Sequence, residues 1–579
     1  MTNVLLTPAR IGPAAIKNRI VMPPMTTRTA DAEGFVTDAA VAYYMARVEG
    51  GTGLITVEMA SPEKAGRHRR HEVGIYDDRF LPGLTRLVAA IHDGDAKASI
   101  QLGHAGGHTR IDISGEPPVA PSAIPHPVYE ITFETVIPQE MSKARIAETT
   151  AAYAAAARRA RLAGFDCVEI HAAHGYLISQ FHAPFENRRG DEYGGSLENR
   201  ARFGLDILRA VKAAVPGLGV IYRLSVEDFF DGGLRYEEGR QIAIWAAAAG
   251  ADALHVTAGH YRSRPSSQIV LPPMAYAEAT FLEYAADVKR HVAIPVIAVG
   301  RLGDPVTAER AIAAGKADFI ALGRSLVAEP RWVDKVRRGE PIRRCLACNT
   351  CINAMRGGAR IGCVVNGMAG RETAFAAARP PQGERIAVIG AGPAGLTYAS
   401  LVAAGNAVTV FEKASLPGGA FRLAGKAPLF QEVAACNESL LRYIDDLAAA
   451  CVGMGVVFRY GCDVDALPEI LAPFDRIVIA TGAAYRFGLG RFAAWLIDHG
   501  AARAPGLARL FSSPKLRDWF YDRARRGTAD RYRAMAAPGQ IVIAIGDAAA
   551  AGKSQQAIAS AFEAALLANG KVQAGVPPA

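Results

Sequence analysis

From about residue 15 to 335 the chain repeats one pattern: a short apolar run, a turn, then a longer Ala-rich stretch with apolar positions at helical spacing. Short apolar runs bounded by turn residues read as buried parallel strands, and the stretches between them as crossover helices. The runs predict strands at 19–23, 54–58, 98–102, 167–171, 219–224, 253–257, 295–299 and 319–322. Eight strand–helix units fit a closed (β/α)8 barrel, whose reactive face lies at the C-terminal ends of its strands. An open doubly wound sheet is the other reading, but it needs a reversal of strand order that the pattern does not reveal. After a Pro- and Gly-bearing stretch at 376–384, a new strand–turn–helix unit starts at Arg385.

That second start carries chemistry. The strand running from Arg385 leads into Gly390-x-Gly392-x-x-Gly395 and a helix, and Glu412 ends the next strand. Glycines there let backbone approach a pyrophosphate, the helix N-terminus offers free N–H groups, and the carboxylate can accept from a ribose hydroxyl. Downstream lie a Pro417-Gly418-Gly419 turn, a strand at 477–482, and a strand–turn–helix at 541–562 containing Asp547. Together these resemble the FAD-binding half of the two-dinucleotide flavoprotein reductases, in which the last motif lies near the flavin ribityl and pyrophosphate. Those reductases insert a second dinucleotide domain for NAD(P)H; the interval 483–538 has no such fingerprint, so NAD(P)H binding at that place is doubtful.

Four of the eight cysteines form Cys345-x2-Cys348-x2-Cys351-x11-Cys363. Three thiolates at minimal spacing with a fourth from a nearby loop suit the corners of a [4Fe–4S] cubane. Structural zinc is the alternative, but it usually takes two separate Cys-x2-Cys pairs. Cys167, Cys436, Cys451 and Cys462 sit among apolar neighbours and read as buried fillers.

In the barrel, Glu169-Ile-His171-Ala-Ala-His174-Gly-Tyr176 leaves the fourth strand. Two imidazoles three residues apart can grip one oxygen, and the Tyr176 hydroxyl can deliver a proton as general acid. His260, after the sixth strand, is a further candidate whose plainer role is a solvated loop histidine.

The segments Arg19-IVMPPMTTR, 166–203 with its HGYL and DEYGGSLENR runs, Tyr222-RLS, Ile297-AVGR and Phe319-IALGRSLVAEP resemble the old yellow enzyme barrel. With the cysteines and the dinucleotide motifs, the whole resembles the bacterial 2,4-dienoyl-CoA reductase and trimethylamine dehydrogenase group. The resemblance implies an FMN-binding barrel at 1–340, a [4Fe–4S] segment at 341–375, and an FAD-binding domain, or a remnant holding ADP, at 376–482 and 539–579. It implies that Pro24, Met25 and Thr26 line FMN, that Gln101 bonds its pyrimidine edge, and that Arg223 lies near N1 and C2=O. Gly300, Arg301, Gly323 and Arg324 would cradle the FMN phosphate. His171 and His174 match the family's substrate-anchoring pair, Tyr176 its proton donor, and His260 stands where the group carries a catalytic acidic or basic residue. Gly390, Gly392, Gly395, Glu412, Gly419 and Asp547 would hold the second nucleotide. The covalent flavin of trimethylamine dehydrogenase needs a cysteine early in the barrel, and none precedes Cys167.

Two opposite reactions follow from that group. The first reading is reduction of an activated C=C, of enoate or enoyl or dienoyl thioester type, with electrons relayed through FAD and the cluster. The second is amine dehydrogenation or N-demethylation with electrons passed to a partner protein, which the cysteine spacing resembles more closely. Substrate identity and direction of electron flow are not legible.

Half the residues are apolar and 21% charged, which marks a globular chain with large cores. No apolar run reaches the roughly 18 residues of a bilayer span and the first residues lack a secretion-signal layout, so the cytoplasm is the default address and a homo-oligomer the expected state. A formal charge of +9 does not call for nucleic acid. Its location matters more, because 483–538 holds eleven basic residues against four acidic ones. Interleaved there are Phe492, Trp495, Leu496, Trp519, Phe520 and Tyr521. This composition suits an interfacial helix, so a third reading is an electron-transfer module docking a redox partner or membrane surface. A packed helical cap with a solvated basic face is the plainer role of the segment.

Overall fold

The computed structural model describes residues 3–127, 135–426, 435–485, 489–511, 513, 515–516, 519 and 524–567. The chain divides into two compact units: residues 1–326, 330–340 and 352–361 form one, and 327–329, 341–351 and 362–579 the other.

In the first unit, strands β1 (Ile20–Met22), β2 (Leu54–Ala60), β3 (Lys97–Leu102), β4 (Cys167–Ala172), β5 (Gly219–Ser225), β6 (Ala253–Thr257), β7 (Val296–Ala298) and β8 (Phe319–Ala321) close into a parallel barrel in sequence order. Each predicted strand is present, with ends shifted by up to two residues. β8 pairs with β1 to shut the ring. All but one strand residue are buried, as expected of a sheet with helices on one face and a packed interior on the other. Four crossover helices start on Thr37, Ser142, Ser196 and Asp304, whose side-chain oxygens accept from the N–H three residues on, satisfying donors that a helix start leaves orphaned. A hairpin of Ala9–Ile11 and Ala14–Ile16 packs Ile11, Ala14 and Ile16 against Leu54, Cys167, Ile221, Ile297 and Phe319. This apolar plug fills the N-terminal end of the barrel and leaves the other end for chemistry.

The second unit is built on a five-stranded parallel sheet, ordered β11–β10–β9–β12–β13, where β9 is Arg385–Ile389, β10 Ala407–Glu412, β11 Val457–Tyr460, β12 Arg476–Ile479 and β13 Ile541–Ala544. The order reverses at β9, the Rossmann-like arrangement in which ligands bind outside the C-terminal strand ends. Helix Pro393–Val402 leaves β9 and packs against helices Asn437–Gly453 and Ser554–Leu566. Between β12 and β13, the described residues add a short antiparallel pair, Ala483–Tyr485 with Arg525–Gly527, and helices Leu489–Asp498, Pro505–Phe511 and Ala529–Arg533. They contain no second parallel sheet.

Candidate active site

Strand register builds the barrel's polar interior. Gln101 stands beside Glu169, and His171, Arg223 and His255 form a row across β4, β5 and β6. Gln101 Nε2 donates to Glu169 Oε1 at 2.8 Å, His255 Nδ1 donates to Oε2 at 2.8 Å, and the Arg223 guanidinium lies 3.8 Å from Oε1. Burial alone would raise the Glu169 pKa, but His255, Arg223 and Gln101 outweigh it and hold the carboxyl below its usual range. Above the apolar plug there is therefore a buried anion, a buried cation and imidazoles. Arg223 Nε, His171 Nδ1 and His255 Nε2 are buried without a hydrogen-bond partner among the described residues. Such atoms cost free energy unless a bound group satisfies them. A flat ring with polar atoms along its edge, such as an isoalloxazine, suits this set.

The chain then turns sharply from β4. His174 takes φ +64° and Gly175 φ +84°, and a Cβ on Gly175 would lie 2.3 Å from His260 Cε1, so only glycine fits. The strained His174 is anchored by its N–H to Ser225 Oγ (3.0 Å) and by Nε2 beside Thr257 Oγ1 (3.1 Å). Burial first, then the Arg223 charge, drives the His171 and His174 pKa values far down, so both imidazoles are neutral. Tyr176 follows with its ring 4.8 Å from His171 and its hydroxyl 3.1 Å from His68 Nδ1. Its ring packs with Met59, Ala105 and Tyr261, and burial pushes its pKa up, keeping the phenol protonated. The structure thus brings His171, His174 and Tyr176 together at the C-terminal end of the barrel.

His260 is not a solvated loop residue. It is fully buried, its Nδ1 accepts from the Arg262 N–H at 3.0 Å, and its Nε2 donates to Glu186 at 3.1 Å. Burial lowers its pKa, yet Glu186 and Asp228 outweigh that effect and the net shift is upward.

The other expected flavin positions fall on the same face. Pro24, Met25 and Thr26 follow β1, Gly300 and Arg301 follow β7, and Gly323 and Arg324 open the helix after β8. Arg301 donates to the carbonyls of Pro273 and Met274 and Arg324 to that of Pro272, so one loop gathers both guanidiniums.

In the second unit, Gly390 has φ +106°, a Cβ on it would lie 2.5 Å from the Ala480 carbonyl oxygen, and one on Gly395 would lie 2.0 Å from the Gly390 oxygen. Among the described residues nothing lies within 4 Å of a Cβ on Gly392, leaving open space at the helix start. Gly419 comes against this turn, and Gly418 N–H donates to the Ala391 oxygen. Glu412 accepts from the N–H groups of Ala391 (2.8 Å) and Ala414 (2.9 Å), so it first braces the turn. Asp547 accepts from Arg525 at 2.6 Å and from the Gly552 N–H at 3.0 Å.

Of the four motif cysteines, Cys348 and Cys351 are buried and Cys345 and Cys363 half-buried. Burial together with the nearby Cys345 and Cys348 pushes the Cys363 thiol up to about 12. Ala347 and Asn349 take left-handed backbone between the cysteines. Of the scattered cysteines, Cys167 and Cys451 are buried as expected, whereas Cys436 and Cys462 are half-buried. In the basic segment, Phe492, Trp495 and Trp519 are exposed. Arg486, Arg517, Asp518, Phe520, Tyr521, Asp522 and Arg523 lie outside the described residues.

Sequence reading missed Glu169 and His255 as partners, although their alternate positions on β4 and β6 point them inward. It also missed His68 and Tyr261, which come from loops, and Arg525. Among the described residues no helix is long and apolar enough to cross a membrane.

Residues 4–342 match the model of the NADH:flavin oxidoreductase / NADH oxidase family, and residues 388–424 that of an NAD(P)-binding Rossmann-like domain. The chain is 38% identical to an NADH oxidase of Thermoanaerobacter brockii, over 83% of this chain and 73% of that one. It is 33% identical to the cinnamate reductase of Clostridium sporogenes, over 83% and 74%. To an N,N-dimethylglycine/sarcosine dehydrogenase of Chromohalobacter salexigens it is also 33% identical, over 83% and 69%. A family model spanning more than half the chain, on a closed barrel with a polar mouth, makes this protein a flavin-type oxidoreductase that belongs to the NADH:flavin oxidoreductase / NADH oxidase family.

Proposed function

We propose that the protein reduces an activated C=C, of the enoate or enoyl thioester type, at the C-terminal mouth of its barrel. The observation that carries this reading is the Tyr176 ring 4.8 Å from the ring of His171, whose Nδ1 is buried without a hydrogen-bond partner among the described residues. FMN bound there would supply hydride. His171 and His174 would hold the substrate carbonyl oxygen by hydrogen bonds, polarising the alkene. His68, donating from Nδ1 to the phenol oxygen, would leave the Tyr176 O–H free to protonate the α-carbon.

Gln101 and Arg223 would meet the flavin pyrimidine edge, with Arg223 stabilising negative charge near N1. Arg301 and Arg324, beside Gly300 and Gly323, would hold its phosphate, and Pro24, Met25 and Thr26 would line the ring. Cys345, Cys348, Cys351 and Cys363 would ligate a [4Fe–4S] cluster. The open space at Gly392, next to Gly419, would take the pyrophosphate of FAD, with Asp547 and the remaining lone pairs of Glu412 turned to its polyol portions. Electrons would then reach the barrel from the second nucleotide through the cluster. The cinnamate reductase likeness supports reduction.

The dehydrogenase likeness favours a second reading, oxidation of a methylated amine. Anaerobic turnover with cinnamate, enoyl thioesters, cyclic enones and tertiary methylamines separates the two. Oxidation of the reduced enzyme by cinnamate or a thioester is expected; turnover of amines alone would overturn the proposal.

A further inference from the structure

Beside Tyr176, whose ring lies 6.5 Å from that of His108, the loop after β3 and the segment after helix Leu177–His182 bring together His108, His126 and Glu186, all buried. One donor atom from each lies within 4.8 Å of the others, and His126 Nδ1 is 3.5 Å from Glu186 Oε1. The two rings meet edge to face with centroids 5.2 Å apart.

The hydrogen bonding of these histidines is incomplete in a particular way. His108 Nδ1 must donate to the Pro127 carbonyl at 3.0 Å, since a carbonyl only accepts. That fixes the tautomer and leaves a lone pair on Nε2, which is buried and has no hydrogen-bond partner. Neither nitrogen of His126 has one, although the residue is fully buried. Burial, with the adjoining imidazole, holds His108 down to about 3, and burial lowers His126 as well. Both rings are therefore neutral, the form that ligates a metal.

Glu186 is kept ionised: burial works against it, but His260, by its charge and its hydrogen bond, pulls its pKa strongly down. Its carboxylate has capacity left. Oε2 takes the His260 Nε2–H and Oε1 takes Arg262 at 3.0 Å, and two oxygens offer about four lone-pair directions. The cations facing the site are Arg262 and, when protonated, His260. A neutral His260 still satisfies both its neighbours, accepting at Nδ1 and donating from Nε2, so an ion entering the site need not face a second added positive charge.

We infer that His108, His126 and Glu186 form a binding site for a divalent transition ion of the zinc class, with His260 as the hydrogen-bonded support of the carboxylate ligand. Two neutral imidazoles and one carboxylate are a ligand set that zinc uses when it keeps a further position open. A histidine on the far oxygen of the carboxylate is the kind of outer contact that orients such ligands. The ion would tie the loop after β3 to the segment after β4 on the reactive side of the barrel.

The test uses the purified protein with its flavin and iron in place, dialysed anaerobically against a slight excess of zinc and then against metal-free buffer. Zinc, iron and flavin are counted by elemental analysis and absorbance, and zinc coordination is read by X-ray absorption. About one zinc per chain with only N/O scatterers near 2.0 Å is expected, lost in H108Q and H126Q with iron and flavin unchanged. Absence of retained zinc, zinc with sulfur scatterers near 2.3 Å, or equal retention in both variants would overturn the site. Should either variant fail to fold, the coordination shell of the unaltered protein decides alone.

Discussion

Replacing Tyr176 by Phe removes one hydroxyl, whose hydrogen bond is with His68 Nδ1 at 3.1 Å. The ring stays, with its packing on Met59, Ala105 and Tyr261, so the site keeps its shape. His68, buried and neutral, is left with an unmet polar atom, at a cost of about 1–3 kcal/mol in stability. The kinetic cost is larger if the phenol is the proton donor. A positioned general acid contributes roughly 10²–10⁴-fold, about 2.7–5.5 kcal/mol in the barrier. The two halves of turnover separate the effects. In anaerobic stopped-flow, bleaching of the flavin by dithionite should stay within about twofold of the unaltered protein, because no proton transfer to substrate carbon is involved. Reoxidation by cinnamate should slow by about 10²–10⁴-fold. Parallel slowing of both halves would mark Tyr176 as a packing residue, and an unchanged reoxidation rate would assign the proton to water; either result refutes the assignment.

Other consequences can be checked more simply. Glu169→Ala strands the buried Arg223 cation and the donors on Gln101 and His255; a loss of about 3–5 kcal/mol is expected by urea unfolding, and a loss under 1 kcal/mol would contradict the barrel's polar interior. Arg525→Ala frees one oxygen of Asp547 and drops a bond to the Gly552 carbonyl; the ratio of released adenine nucleotide to FMN should fall, and an unchanged ratio would detach Asp547 from nucleotide binding. Glu63 supplies a pH signature. Burial opposes its ionisation, but His104 and Arg145 hold its pKa at about 2 against an ordinary 4.5. Its folded pKa is the lower one, so its stabilisation is full above pH 4.5 and lost as pH falls toward 2, roughly 3 kcal/mol in all; acid unfolding of Arg145→Ala should begin at higher pH, and an unshifted midpoint would count against the pairing.

The barrel was legible because each strand is a short apolar run between turns, and burial on both sides demands such runs. The Gly390 turn was legible for a related reason: strand, glycines and helix are local. The active site was only half so. His171, His174 and Tyr176 leave one strand within six residues, whereas His68, Tyr261, His108, His126 and Glu186 meet only after distant loops have folded. Glu412 shows the converse: its position was readable, but that it braces Ala391 and Ala414 required the backbone.

The hairpin at 9–16 has a consequence for how the protein is made. It is synthesised before the surfaces it seals, which include Ile221, Ile297 and Phe319, and β1 next to it completes its pairing only with β8. During translation the hairpin must wait, its isoleucines unburied, until Phe319 and β8 have left the ribosome. Closure entropy of that span weighs on the rate of folding far more than on final stability. A chaperone that shields the nascent hairpin should therefore raise the yield of native protein, and trimming the hairpin should leave an opened ring rather than a slightly weakened one.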